Sequence, residues 1–247
     1  MRSVFSSLRL AGAVGLGAAA LGAAAAPAHV AITAPAAAAT GEFATRLAAW
    51  RQSGAIVSAQ LLGVVPGARS AETVPPNAAL GALALVEFAD EAALARWEQS
   101  PAAKLAAGFS VARVDLLAQL AVTPRDSAHA VYLLAEYEIM VPPPRYQEYV
   151  DGYVMPQMRA WKTSGLITGA FMYAARDRAK APFHAVLVLE HRDAAAFARR
   201  DAVKDESRKE LAADPKWKAL SDVTATMRTE KFLSRATRVE LPAKVAP

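Results

Sequence analysis

Two acids on one strand-like segment raise the first chemical question. Val131 to Ile139 reads VYLLAEYEI. In a strand, Val131, Leu133, Ala135, Tyr137 and Ile139 share one face, and Tyr132, Leu134, Glu136 and Glu138 share the other. The first face suits a cover of helices, so the second would look into the interior of a curved sheet. An unpaired carboxylate brought inside costs several kcal/mol. Glu136 and Glu138 therefore need a wet cavity, a cation such as Arg228, or a place on the rim. In a cavity, a carboxylate or an imidazole can take a proton from an acidic carbon. Glu136 and His184 are the candidates for that general base. Tyr132, Glu136, Glu138, His184, Glu190 and Arg228 are the candidate ligand contacts.

Other polar residues point to quieter roles. Glu87 and Glu190 each end a short apolar run just before a helix-like segment, a place where acids brace helix N-termini. His184 falls on the same strand face as Glu190, and His191 on the opposite one. No His-x-His or His-Glu-x-x-His spacing occurs, so no metal site is expected. Serine-triad, phosphate-loop and dinucleotide signatures are missing as well. Trp50, Trp161 and Trp217 fall at apolar helical positions and read as core. The run KDESRKE, Lys204 to Glu210, reads as a solvated helix face.

The first 28 residues stand apart from the rest. Arg2 and Arg9 precede an uncharged Ala/Gly-rich run from Leu10 to Ala26, and Ala26–Ala28 is a small-x-small cleavage site. A secretory signal over 1–28 is expected, with a cut after Ala39 as the competitor, which places the mature chain in the periplasm or outside the cell. The run is short and poor in Leu, so a membrane anchor is disfavoured. Cysteine is absent, so neither disulfides nor a lipid on cysteine can stabilise or tether the product. Removing two arginines lowers the formal charge from +5 to +3. The remaining charges are mixed in sign, which argues against nucleic acid as a partner.

The segments that must position the candidate residues occur twice. AWRQSGAIVSA (49–59) matches AWKTSGLITGA (160–170), and LALVEFADEAALAR (83–96) matches VLVLEHRDAAAFAR (186–199). SPAAKLA (100–106) resembles DPKWKAL (214–220) in the same order. Three blocks in one order indicate internal duplication. In the second copy, strands are expected at 131–139, after Gly165, at 184–191 and at 223–233. A helix from Tyr146, disturbed at Pro156, ends at Gly165, and Asp193 caps another. The first copy reads as a weak strand at His29–Ala34, helix 42–53, strands 55–65 and 81–88, helix 90–98 and strand 110–120. Each copy is a ferredoxin-like βαββαβ unit. The division is 29–122, a linker at 123–130, 131–241, and a tail at 242–247.

One such unit leaves a sheet face bare. Val186 to Leu189 and Leu83 to Val86 are apolar on both faces, and strands of that kind are covered on both. The two units are therefore expected to pack sheet to sheet as a pseudo-twofold α/β barrel, an α+β fold. The AEYEI strand, the helix ending in Trp and Ser-Gly, LVLEHRD and LAADPKWKAL together resemble the NIPSNAP and stress-responsive members of the dimeric α/β-barrel superfamily. That resemblance implies a barrel with a small cavity and no shared catalytic apparatus. The expected function is binding of a small, partly apolar molecule or service as an interaction module, as monomer or homodimer. The alternative is a cofactor-independent oxygenase or isomerase with Glu136 or His184 as base. No cofactor is expected. Haem is disfavoured because no expected helix holds a histidine.

Overall fold

The computed structural model describes residues 25–36, 38, 40–70, 80–122 and 129–243. Most of the expected signal segment, and part of the expected linker, lie outside the described residues. The first half contains β1 (Ala28–Pro35), α1 (Thr40–Gln52), β2 (Ser58–Ser70), β3 (Leu80–Phe88), α2 (Glu91–Gln99) and β4 (Ser110–Leu120). The second contains β5 (Val131–Ile139), α3 (Pro143–Tyr149), α4 (Met155–Thr163), β6 (Ile167–Ala175) and β7 (Ala185–His191). It ends with α5 (Ala194–Ala198), α6 (Arg200–Leu211), α7 (Pro215–Asp222), α8 (Thr224–Met227) and β8 (Arg228–Val239).

Eight strands close into one antiparallel barrel in the order β1-β3-β2-β8-β5-β7-β6-β4. The expected pair of face-packed sheets is thus a continuous ring, sealed where β2 pairs with β8 and β4 with β6. Closure removes the free edges that two open sheets would present to solvent. Strand alternation sorts the apolar residues into three clusters. Ala31, Leu62, Leu83, Val114, Tyr132, Leu134, Val186 and Val188 fill the barrel. Val30, Ile32, Leu61 and Phe88 pack outward with Leu47, Trp50 and Trp97 of α1 and α2. Leu133, Tyr137 and Leu187 pack outward with Tyr149, Trp161 and Trp217.

Local chemistry sets the element ends. Gly54 and Gly165, the glycines of the two Ser-Gly pairs, sit at φ 73° and 71°, where a side chain would be strained. Each is followed by the same closing bond: Ala55 N donates to Trp50 O, and Leu166 N to Trp161 O, both at 2.9 Å. Asp90 and Asp193 cap α2 and α5, accepting from Ala93 N at 2.6 Å and Ala196 N at 2.7 Å. The helix expected around Pro156 survives by widening. A π-helical turn at Val150–Val154 joins α3 to α4, so the proline falls in the first turn of α4. The expected strand at 223–233 instead begins at Arg228, because Thr224–Met227 forms the helical turn α8. The solvated face expected at 204–210 is interrupted: Ser207 is buried and accepts the Trp161 indole N–H at 2.9 Å.

Candidate functional site

Every neighbour in the ring is antiparallel, so β1, β2, β5 and β6 all start at one end of the barrel. The other four strands finish there. At that end the inward face is polar. His29 stands opposite Glu87 in the β1–β3 register, and Tyr132 opposite Glu190 in β5–β7. Ser58 Oγ donates to Glu87 Oε2 at 2.8 Å. Tyr132 Oη donates to Glu190 Oε2 at 3.0 Å, and Thr168 Oγ1 to Glu190 Oε1 at 2.9 Å. Thr168 sits on a bulge in the β6–β7 register, and the bulge turns its hydroxyl onto the acid.

A cavity of about 710 Å³ opens at this end. His29, Ser58, Gln60 and Glu87 supply polar walls, and Leu85, Val114, Phe171 and Tyr173 supply apolar ones. The His29 ring meets the Tyr173 ring edge-on, 5.8 Å between centroids. Among the described residues neither imidazole nitrogen of His29 has a protein hydrogen-bond partner. Burial depresses its pKa below the ordinary 6.5, while Glu87 pulls the other way. That shift favours the neutral form of the ring, which can accept a proton. Burial also pushes the Tyr173 phenol up to about 12. Tyr132 is raised further, by burial first and then by the charge of Glu190. At the mouth, Arg176 bonds Asp115 at 2.7 Å and Glu91 at 2.5 Å, so its charge is already neutralised.

The expected site residues divide between the two ends. Tyr132 and Glu190 lie at the cavity end, inside the barrel. Glu87 and Glu190, expected to brace helices, bond hydroxyls there, and Asp90 and Asp193 do the capping. Glu136 is buried toward the opposite end, four residues along β5 from Tyr132, or about 13 Å at strand rise. His184 precedes β7 at that far end, where its Nδ1 accepts Ile139 N at 3.1 Å. Glu138 is on the rim and pairs with Lys231 at 2.7 Å. Arg228 does not join the inward acids, because it packs on the outer face with its guanidinium carbon 3.7 Å from the Tyr137 ring centre. Its place among apolar side chains is set by that cation–π contact.

His29, Ser58, Gln60 and Tyr173 escaped the sequence reading. One signal for His29 was available. It precedes Tyr132 by the same interval, 103 residues, that separates Glu87 from Glu190.

No protein-family model matches the chain, and no curated protein matches it. Solved structures do. An anthrone oxidase-like protein aligns at 9% identity over 87% of this chain and 91% of its own, with a TM-score of 0.57. A monooxygenase candidate from Lactobacillus acidophilus aligns at 15% identity over 90% and 99%, TM-score 0.48. A heme-binding protein from Thermus thermophilus aligns at 14% identity over 86% and 91%, TM-score 0.41. The expectation of no cofactor is corrected here, since structures similar to this chain include one named for binding haem. A ligating histidine need not sit on a helix, and His29 presents its ring to the cavity from a strand. The closed antiparallel eight-stranded ring with helices outside is the fold this chain shares with the anthrone oxidase-like structure.

Proposed function

We propose that this chain is an enzyme of the oxygenase or isomerase kind, acting on a small, partly apolar molecule held in the cavity at the His29 end of the barrel. One observation carries the reading: an imidazole with no hydrogen-bond partner among the described residues opens into a half-apolar cavity opposite a carboxylate. His29 removes a proton from a carbon made acidic by a neighbouring carbonyl or aromatic ring. Glu87, fixed by Ser58, stabilises the imidazolium that forms. Gln60 lines the cavity, where its amide can meet the developing enolate oxygen. Reprotonation at a second carbon completes an isomerisation. Reaction of the carbanion with O₂ turns a methylene into a carbonyl and releases water. Glu87 in the wall disfavours anionic substrates, because Glu91 and Asp115 at the mouth are already paired with Arg176.

Anthrone, with its acidic methylene, is a suitable probe. Oxygen uptake with anthrone is expected for the wild-type chain and is lost in His29→Ala, with the circular dichroism spectrum unchanged. Uptake that persists in His29→Ala would remove the proposed base. Binding without any turnover would favour the binding-module reading.

The duplication, a pseudo-twofold along the barrel axis and a NIPSNAP-like kinship belong to the same proposal. Support comes from the ring order, which splits into β4-β1-β3-β2 and β8-β5-β7-β6. Export is proposed with a cut after Ala28, because a cut after Ala39 would delete β1 from the ring. Intact mass of the secreted product tests this.

A further inference from the structure

The helical cover of the second half holds another cavity, of about 280 Å³, between α6, α7 and the π-helical turn. Its walls include Tyr153, Arg208, Trp217, Ser221 and Thr224. The Tyr153 and Trp217 rings stack with centroids 4.9 Å apart, and Trp217 Nε1 donates to Tyr153 O at 3.1 Å. Leu220 of α7 lies where a side chain at Gly152 would stand, 2.5 Å from its Cβ position, so the turn and α7 approach closely.

Arg208 is the unusual wall. Asp205 lies three residues earlier on α6, a spacing that favours an ion pair. Arg208 instead turns inward, and its Nη2 donates to Tyr153 Oη at 3.2 Å. Among the described residues it has no carboxylate partner, and its Nε is buried without an acceptor. Lys218, the other cation of the cavity, is already held by Asp222 at 2.8 Å. Behind the same aromatic stack, Arg228 contacts Tyr137 and Tyr149 through its guanidinium face and also has no ion pair among the described residues. Of these two cations only Arg208 lines the small cavity, beside the Ser221 and Thr224 hydroxyls, and the cavity's one carboxylate, Asp222, is taken by Lys218. Arg208 is half-buried, and a guanidinium partly withdrawn from water without a counter-charge favours an anion.

We propose that this cavity is a second ligand site, separate from the barrel, which takes the carboxylate of a small organic acid on Arg208 with the Ser221 hydroxyl as a further donor. Such charge-assisted hydrogen bonds are the strong ones available to a small acid.

Calorimetric titration of the full chain with sodium benzoate tests the assignment. One saturable site is expected, weakened about tenfold or more by Arg208→Gln. Lys209→Gln, the next residue of the same helix and outside the cavity, leaves it unchanged, as does His29→Ala in the barrel. If Arg208→Gln fails to fold, Ser221→Ala provides the same reading through a smaller loss. Absence of a saturable heat, equal weakening by Lys209→Gln, or displacement of benzoate by equimolar inorganic phosphate would overturn the carboxylate site.

Discussion

His29 and Glu87 face each other across the β1–β3 ladder, and 103 residues later Tyr132 and Glu190 do the same across β5–β7. Both pairs look inward at the same end of the barrel. The histidine pair lines the cavity, and among the described residues the His29 ring nitrogens have no hydrogen-bond partner. The tyrosine pair is closed: Tyr132 is fully buried and its proton is committed to Glu190. One position therefore carries different chemistry in the two halves, an imidazole lining the cavity in one and a fixed hydrogen-bond donor in the other.

The acid limb of turnover should report His29. Its pKa lies below 6.5 through burial, and Glu87 opposes that shift. Turnover with anthrone is therefore expected to fall as pH drops below His29's depressed pKa. Glu87→Gln removes the charge that favours the imidazolium, so the limb moves to still lower pH. The His29 ring signal in an NMR titration should move in the same direction. A limb that stays put in Glu87→Gln would separate the two residues.

Tyr132→Phe removes the hydroxyl that Glu190 accepts and leaves the buried acid to Thr168 alone. An unsatisfied buried acceptor costs about 1–3 kcal/mol. Urea denaturation should show a loss of that order with an unchanged slope, because no surface is newly exposed in the folded state. The double variant Tyr132→Phe with Glu190→Gln should recover part of it.

His191 supplies a pH signal in stability. Its ring is fully buried between β7 and α5, edge-on to Phe197 at 5.0 Å, and burial holds its pKa down at about 4. Between pH 4 and 6.5 the unfolded chain binds a proton there that the folded chain refuses. Stability is thus complete above pH 6.5 and is lost progressively as pH falls toward 4. The total is on the order of 3 kcal/mol. Melting temperature measured across that window should fall more steeply for the wild type than for His191→Phe.

The legible parts of the fold were those with local causes. The Ser-Gly pairs fix φ-positive helix ends, Asp90 and Asp193 cap helices, and the two-sided apolar strands demand cover. Alternation along β5 also sorted Tyr132 and Glu136 to the inward face. The site was harder to read because it depends on ring order. Which end of the barrel holds His29 follows from β1 lying between β3 and β4, a relationship among segments up to about 80 residues apart. Alternation alone placed Tyr132 and Glu136 together, although four residues of strand carry them toward opposite ends. Glu87 and Glu190 looked like helix braces because acids near helix starts usually are, and nothing local reveals Ser58 or Thr168 as their partners.

The first strand offers the severest test of the ring. Val30, Ala31 and Ile32 of β1 are completely buried, and β1 pairs with β3 on one side and β4 on the other. A chain starting at His29 keeps this strand, whereas one starting at Thr40 lacks it. Loss of Val30 and Ile32 alone forfeits about 1.5–3 kcal/mol each, and it leaves two facing edges unpaired. The 29–247 chain is expected to melt cooperatively and to elute as a compact species. The 40–247 chain is expected to aggregate or to lose its cooperative transition. Equal melting of the two, within a few degrees by circular dichroism, would mean that β1 is dispensable and that the barrel closes without it.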